Sequence, residues 1–411
     1  MNFKGINKFA AASKLIPMVV IVAAVFVVYF GTATQWTFRP PWTIDYINPM
    51  AAALRQGRLD IPNPPMTYDL ALYNGRWYMT WGALAAAVHI PLQLLAGGRY
   101  VPALYTSLLF GSLTVSSVWW ILERIRKDWF VKTPKVTTIF FTFLYAFGTM
   151  QYYLTTVGSI WQVNQVVSTF FGVLGMAMIL KKKRSVKDYL LSSTFCGIAL
   201  LGRPTVGLLI VIPMFLLAYD VKRMQKFSAV ILPILFALVV FLVYNAVRFG
   251  NPFETGHRFL KEAPELAAKR EQYGMLSLSY LPTNVWHMIV VPPGFAWVNG
   301  PTMSIDLMGN SIFSLSPVLI VSLGTLFWIT SKRKYLPFIK AIWSGIVVTA
   351  LPSLLYYNTG WMQFGYRYAL DFSFLLVILV YFWSAGRVRL WMAFLSIYTL
   401  WVNYTGIRLL Q

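Results

Sequence analysis

Residues 15–34, LIPMVVIVAAVFVVYFGTAT, run directly into residues 35–78, QWTFRPPWTIDYINPMAAALRQGRLDIPNPPMTYDLALYNGRWY. The first stretch is long enough to cross a hydrocarbon core of about 30 Å as a helix. The second is polar and rich in turn residues, and it holds Asp45 between Ile44 and Tyr46. This order predicts a membrane span followed by a loop in which the Asp45 carboxylate lies near the lipid headgroups.

The composition excludes an ordinary soluble protein. Of 411 residues, 58% are hydrophobic and 12% are charged, whereas soluble domains carry about 25% charged residues. The single cysteine, Cys196, permits no internal disulfide. His89, His257 and His287 do not show the spacing of zinc ligands. No cofactor motif is evident, although carboxylates alone could hold a divalent cation.

The formal charge of +22 indicates orientation rather than nucleic-acid binding. Lysines and arginines cluster beside apolar runs, at 124–135, 181–187, 222–226 and 332–334. By the positive-inside rule these clusters face the cytoplasm, and most acidic residues fall in the opposite segments. The pattern predicts a multi-pass protein of a bacterial cytoplasmic membrane with its N-terminus inside. We expect the lipid bilayer as a partner and no nucleic acid.

The fold predicted is an all-α transmembrane bundle of about eleven spans in a single domain, residues 1–411. The predicted spans are 15–34, 100–122, 136–155, 159–180, 189–201, 205–219, 228–247, 311–330, 336–357, 372–384 and 390–404. Between them lie three polar loops that we expect outside, at about 35–99, 248–310 and 358–371. Residues 79–97 contain a proline and run into the Gly-Gly pair at 97–98, so we expect an interfacial or re-entrant helix there.

Several charged residues of the polar loops and of the bends at the outer ends of the spans have the chemistry of a phosphate site. Arg203 is confined to a tight bend between Gly202 and Pro204, and Arg367 lies in FGYRYALDF at a span end. Arginine forks bind phosphate oxygens, and a carboxylate near them could take a proton from an incoming hydroxyl. For Asp45, helix capping or pairing with a nearby arginine is the alternative. No Walker loop, GxSxG elbow or HExxH motif points to other chemistry.

The order of features resembles the GT-C superfamily of polytopic glycosyltransferases, especially the bacterial branch related to protein O-mannosyltransferases and lipid A aminoarabinose transferases. The resemblance begins with an acidic residue, Asp45, soon after the first span. The stretches that carry the rest of it are LRQGRLDI (54–61), YNGRWYMTWGA (73–83), GIALLGRPTVGLLIVIP (197–213), YNAVRFGNPFETGH (244–257), GNSIFSLSPVLI (309–320) and FGYRYALDF (364–372). Together they cover most of the chain in the expected order.

The resemblance implies a polyprenyl-phosphate sugar donor, a glycan, lipid or protein acceptor, and inverting transfer on the outer face, where the three polar loops form the catalytic face. It implies Asp45 as the catalytic carboxylate. The residues expected to bind the donor phosphate are Arg203, Arg367, Arg248 and Arg258. Those expected to bind substrate are Asp60, Asp69, His257 and Tyr366. Many members carry two adjacent acids, whereas Tyr46 follows Asp45 here, so a second acid would come from Asp60 or Asp69.

Two other functions fit the same features. One is a flippase or transporter of a lipid-linked saccharide, and the other is a polymerase or ligase of lipid-linked glycans. A transporter is expected to carry its functional charges near the bilayer midplane, in many cases between two repeated halves. Here the charges gather at span ends and no internal repeat is visible, which favours the transferase.

Overall fold

The computed structural model describes residues 3–221, 223–297, 300–331 and 335–411. Most of these residues are helical, and the fold is a membrane-type helical bundle. Lys222 and the basic cluster 332–334, which the sequence assigns to the cytoplasmic side, lie outside the described residues.

The helices follow the predicted apolar runs closely. In the described ranges they are α1 (Phe3–Ala33), α2 (Ile47–Arg55), α3 (Leu84–Leu95), α4 (Ala103–Trp129), α5 (Lys135–Gly148), α6 (Met150–Thr156), α7 (Ile160–Ile179), α8 (Val186–Gly202), α9 (Pro204–Gly207), α10 (Val211–Leu217), α11 (Arg223–Phe249), α12 (Pro264–Tyr273), α13 (Leu281–Ile289), α14 (Ile312–Leu315), α15 (Gly324–Ser331), α16 (Leu336–Leu354), α17 (Leu370–Trp383) and α18 (Leu390–Leu410). Five are long and apolar enough to cross a membrane, namely α1 from Leu15 onward, α4, α7, α11 and α16. The count of eleven spans stays a prediction.

Two helices show how the bundle is layered. Helix α17 is apolar all round and buried along nearly its whole length, as expected of a helix at the centre of a bundle. Helix α11 is also strongly apolar, yet only seven of its 27 residues are buried, and it packs mainly on α8. An exposed apolar helix of this length has the character of a lipid-facing span at the edge of the bundle.

Short strands occur in the polar loops, which the all-α prediction did not include. They form three two-stranded pairs in the described residues: β1 (Leu70–Tyr73) with β2 (Arg76–Met79), β3 (Gly294–Trp297) with β4 (Pro301–Ser304), and β5 (Met308–Asn310) with β6 (Gln363–Gly365). The β1–β2 hairpin turns at Asn74 and Gly75, both with positive φ. This dipeptide favours two-residue hairpin turns, so the local sequence explains that pair.

The three polar loops join into one layer over the helix ends. Backbone hydrogen bonds link Asp69 N to the Lys261 carbonyl and Lys261 N to the Leu70 carbonyl, which tie the first loop to the second. Strand β5 of the second loop pairs in parallel with β6 of the third. Residues far apart in sequence therefore meet on one side of the bundle.

Candidate active site

A cavity of about 350 Å³ lies between this loop layer and the ends of α7, α8 and α16. Its wall is formed by residues of all three polar loops, of the ends of α7, α8 and α16, and of α9, together with Phe241 from within α11. They are Asp69, Thr80, Trp81, Gly82, Trp161, Asn164, Gln165, Gly202, Arg203, Pro204, Thr205, Phe241, Thr255, His257, Leu260, Glu262, Met275, Leu276, Pro352, Ser353, Tyr356, Tyr357, Asn358, Arg367 and Tyr368. Its size and mixture of aromatic and charged groups suit a small polar ligand.

Arg203 is fixed in the wall by the break between α8 and α9. Pro204 starts the next helix, and Arg203 itself has extended backbone angles between the two. The backbone of Gly82 also packs closely against the end of α8, next to Arg203. A Cβ at position 82 would overlap the Leu201 carbonyl. The glycine therefore lets the first polar loop lie directly against the turn that carries Arg203.

The Arg203 side chain pairs with the buried Asp371 of α17. Its Nε donates to both carboxylate oxygens, at 3.0 Å to Oδ1 and 2.8 Å to Oδ2. Thr205 Oγ1 donates to Oδ2 at 2.7 Å, and Gln165 Nε2 donates to Oδ1 at 2.7 Å. Gln165 also donates to the Arg367 carbonyl at 3.0 Å. A single network therefore holds both cavity arginines.

Arg367 is the second cationic group aimed at the cavity. Its guanidinium lies 5.1 Å from the centre of the Tyr368 ring, and the Arg203 guanidinium lies 5.3 Å from the same centre. Arg367 Nη2 donates to the Tyr368 hydroxyl at 3.3 Å. No carboxylate in the described part of the chain forms an ion pair with Arg367. Its charge is therefore available to an anionic ligand.

Asp69 presents the free carboxylate of the cavity. It has a left-handed backbone conformation, φ 59°, which aspartate tolerates better than most residues. Trp161 Nε1 donates to Oδ2 at 3.1 Å. Burial raises the pKa of Asp69, Arg367 and the Trp161 hydrogen bond oppose the rise, and Glu262 adds to it, so that the pKa is about 6. Asp69 can therefore exchange a proton near neutral pH.

Glu262, the other cavity carboxylate, has both oxygens occupied. Arg270 Nε donates to Oε1 at 2.8 Å and the Tyr357 hydroxyl donates to Oε2 at 2.5 Å. Among the described residues, no group of three or more His, Cys, Asp or Glu residues could hold a metal ion. In the described wall, Asp69 is the carboxylate that remains open to a ligand.

His257 lies in the wall as a neutral ring. Its Nδ1 shares a hydrogen bond of 2.8 Å with Thr255 Oγ1. Burial lowers the pKa of His257 to about 4, with Arg270 and Arg248 contributing in the same direction. A neutral imidazole can exchange hydrogen bonds with sugar hydroxyls without adding charge to the site.

Asp45, the expected catalytic carboxylate, lies outside the cavity wall. Its Oδ1 accepts the backbone N–H groups of Ile47 and Asn48, at 2.8 and 3.1 Å, and Asn48 Nδ2 donates to Oδ2 at 2.5 Å. His89 and Gln93 extend this buried network through Asn48. The structure thus gives Asp45 the capping contacts that the sequence raised as the alternative, and its catalytic role stays a prediction.

Four other expected site residues also lie outside the wall. Asp60 forms an ion pair with Arg58 at 2.6 Å. Buried Arg248 donates to the Met79 carbonyl and to Asn245 Oδ1, which fixes the end of β2 to α11. Arg258 lies at the surface beyond the wall, and the buried Tyr366 donates its hydroxyl to the Ser353 carbonyl at 3.1 Å. Of the predicted residues, the structure brings together Asp69, Arg203, Arg367 and His257.

Sequence reasoning assigned no role to several residues that build the site. They are Trp161, Gln165, Glu262, Tyr368 and Asp371. Asp371 and Tyr368 lie in the same FGYRYALDF stretch as Arg367. Their closeness to Arg367 in the sequence could have indicated that they belong to the site. Glu262 sits among many charges of the second polar loop, and nothing local separates it from them.

No protein-family model matches this sequence, and no curated protein matches it either. Solved structures do match. ArnT from Cupriavidus metallidurans, bound to undecaprenyl phosphate, matches with a TM-score of 0.50 at 14% identity over 92% of this chain and 61% of its own. The archaeal oligosaccharyltransferase AglB from Archaeoglobus fulgidus, in complex with an inhibitory peptide and a dolichol-phosphate, matches with a TM-score of 0.55 at 10% identity over 95% of this chain and 55% of its own.

The oligosaccharyltransferase of Archaeoglobus fulgidus in the apo form also matches, with a TM-score of 0.55 at 11% identity over 96% of this chain and 56% of its own. These likenesses show that the chain shares the fold of ArnT and of the oligosaccharyltransferase, which agrees with the GT-C resemblance found in the sequence. The chain spans about three-fifths of the ArnT chain and a little over half of the AglB chains.

Proposed function

We propose that this chain is a membrane glycosyltransferase that moves a sugar from a polyprenyl-phosphate donor to a hydroxyl of a glycan, lipid or protein. The observation that carries the proposal is the joint placement of the free Asp69 carboxylate and the Arg203 and Arg367 guanidiniums in one cavity of a GT-C fold. The matching ArnT structure holds undecaprenyl phosphate, and the matching AglB structure holds a dolichol-phosphate. These ligands support a lipid-phosphate donor for this chain.

The two arginines bind the donor phosphate in this proposal. When the bond between the anomeric carbon and the phosphate oxygen breaks, its electron pair stays on that oxygen and the phosphate gains negative charge. Guanidinium groups already in place stabilise that charge more in the transition state than in the bound donor. Arg367, which has no carboxylate partner in the described residues, supplies the uncompensated positive charge.

Asp69 acts as the general base. The acceptor oxygen forms its new bond to the anomeric carbon while its proton passes to the Asp69 carboxylate, and the freed lipid phosphate is the leaving group. A base with a pKa of about 6 is largely deprotonated at neutral pH yet still basic enough to assist. One displacement of this kind inverts the anomeric configuration.

Aromatic rings of the wall bind the sugar in this proposal. Trp81 and Trp161 meet edge to face with ring centres 6.0 Å apart, and Tyr356 and Tyr368 form a second perpendicular pair at 6.2 Å. Ring faces pack against the apolar C–H faces of a sugar, while neutral His257 offers a polar contact to its hydroxyls.

We place the cavity on the outer side of a bacterial cytoplasmic membrane. Asn48 of the first polar loop donates to the Val101 carbonyl just before α4, whereas Arg126 and Lys127 lie at the opposite end of that helix. At 1.5 Å per residue, the 27 residues of α4 separate the two ends by about 40 Å. The basic end is the cytoplasmic one by the positive-inside rule.

The test is transfer of label from lipid to acceptor. Purified protein in lipid nanodiscs is incubated with a panel of radiolabelled polyprenyl-phosphate sugars and with membrane glycan, lipid and protein fractions as acceptors. We expect label to leave one donor in the wild type and to stay on it in the Asp69→Asn variant. In sealed vesicles, passage of intact donor across the bilayer without transfer would overturn the proposal in favour of a transporter.

A further inference from the structure

Asp371 is a buried carboxylate that the proposed chemistry does not use. It stands in the first turn of α17 with no solvent exposure, and it is not part of the cavity wall. Three side chains donate to it, from Arg203, Thr205 and Gln165. All three of those donors are wall residues, so Asp371 can influence a ligand only through them.

The hydrogen bonds between Arg203 and Asp371 differ from those of an ordinary forked arginine–carboxylate pair. A guanidinium has five N–H donors, and a carboxylate usually takes two of them side by side, from Nε and one Nη. Here Nε alone donates to both carboxylate oxygens. In the described residues no hydrogen bond involves Nη1 or Nη2 of Arg203, and the side chain keeps 18% of its surface exposed. The four Nη hydrogens are left for a ligand.

We propose that Asp371 is a positioning residue, which holds Arg203 by Nε so that both Nη groups face the cavity as a fork for the donor phosphate. This inference rests on the proposed function and goes further into the same site. Fixing the fork before the donor arrives removes rotamer freedom that would otherwise be lost on binding. The negative charge of Asp371 also keeps a half-buried guanidinium stable while no phosphate is bound.

Gln165 connects the Asp371 carboxylate to the second arginine, Arg367. Its Nε2 donates both to Asp371 and to the carbonyl of Arg367. Gln165 thereby joins the Arg367 backbone to the carboxylate that holds Arg203, and the amide oxygen of an Asp371→Asn variant could still accept this Gln165 hydrogen bond. Since both guanidiniums also lie within 5.3 Å of the centre of the Tyr368 ring, the two arginines form one rigid phosphate clamp.

The test measures binding and needs no turnover. Affinities of wild type, Asp371→Asn, Arg203→Ala and the double variant are measured in detergent micelles for polyprenyl monophosphate and for polyprenol of the same length, by fluorescence of the cavity tryptophans. We expect Asp371→Asn to weaken monophosphate binding about 10-fold, a size typical for loss of a well-placed charge-assisted contact. Polyprenol affinity should stay the same, because the alcohol makes no use of the fork.

The double variant identifies the route of the effect. In the Arg203→Ala background, Asp371→Asn should change monophosphate affinity less than about 2-fold, because residues that act as one unit are strongly non-additive. If Asp371 has a purely structural role, Asp371→Asn should lower the affinities for monophosphate and polyprenol alike, or should still weaken monophosphate binding in the Arg203→Ala background. Either result overturns the inference. Asp371→Glu, which keeps the charge and moves the carboxylate by one methylene, should show an intermediate loss and serves where Asp371→Asn does not fold.

Failure of the proposed function would look different. Wild type that binds monophosphate with the expected dependence on Asp371, yet transfers no sugar from any donor, would overturn the transferase proposal and leave the clamp in place. Equal binding of monophosphate by wild type and Asp371→Asn would overturn the clamp whatever the protein catalyses.

Discussion

Trp161 Nε1 donates a hydrogen bond of 3.1 Å to Asp69 Oδ2 across 92 positions of the chain. The bond fixes the carboxylate of the first polar loop against the start of α7 and leaves its other oxygen without a side-chain donor in the described residues. It is the contact that distinguishes Asp69 from Asp45, whose two oxygens are both taken by the start of α2.

Asp69→Asn should abolish most transfer, whereas Asp45→Asn should not. Positioned proton removal contributes about 10²- to 10⁴-fold in rate, so we expect a loss of that order in kcat for Asp69→Asn. Asp45→Asn should keep near-normal kcat and lose about 1 kcal/mol of stability, because the new amide nitrogen cannot accept the hydrogen bond of Asn48 Nδ2. Transfer assays and thermal unfolding of the two purified variants test the contrast, with Asp60→Asn as a control. The reverse pattern would return the catalytic role to Asp45.

The acid limb of the pH–activity profile, which is its rising low-pH side, should shift in opposite directions in two variants. The positive charge of Arg367 lowers the pKa of Asp69, and the negative charge of Glu262 raises it. For the wild type, kcat/KM should rise with pH through about 6 as Asp69 loses its proton. Arg367→Met should move that limb to higher pH, and Glu262→Gln should move it to lower pH. A limb that stays in place in both variants would show that Asp69 is not the titrating group.

Arg203→Lys and Arg367→Lys should each raise the KM for the donor. Lysine keeps the charge but lacks the planar fork that contacts two phosphate oxygens at once, so we expect a loss of about 10-fold or more. Because Arg203→Lys also removes the Nε contact with Asp371, the effect of that substitution should be the larger. Circular dichroism of both variants checks that the fold is kept. Unchanged donor KM in both variants would remove these arginines from the site.

Arg248→Ala should damage the fold rather than donor binding. Arg248 is buried, bonded to the Met79 carbonyl and Asn245, and stacked on Tyr244. Loss of the charged hydrogen-bond donor for these acceptors should lower the free energy of unfolding by about 2 to 3 kcal/mol. The melting midpoint should therefore fall, while the KM of the folded fraction for the sugar donor stays unchanged. Arg258→Ala at the surface is the matched control and should alter neither quantity. A raised donor KM with normal stability would place Arg248 in the site after all.

Topology can be read with fused reporters. Fusions after Asp128 and Gln225 should report the cytoplasm, and fusions after Asp60 and Glu265 should report the other side, because the basic clusters mark the inner ends of the spans. Alkaline phosphatase and green fluorescent protein fusions give complementary signals. Cytoplasmic fluorescence from the Glu265 fusion would reverse the placement of the cavity.

The sequence alone was enough to predict the membrane-type helical fold and to single out some residues that line the candidate cavity. Long apolar runs bounded by basic clusters report spans locally, because hydrophobic length and flanking charge act on each segment by itself. Arg203 and Arg367 were found in the same way, since each sits at a span end within a conspicuous tight stretch. The strands of the polar loops were missed because three or four paired residues leave little periodicity to detect.

The identity of the free carboxylate was decided by tertiary structure. Asp45 and Asp69 both follow the first span, and nothing local tells which one has its oxygens filled. Asp69 is set by Trp161 and by the backbone of Lys261, and Arg203 is set by Asp371 at a separation of 168 positions. The reason is physical: the role of a buried charge depends on which donors reach it and on how much water is excluded, and both are supplied by segments distant in sequence.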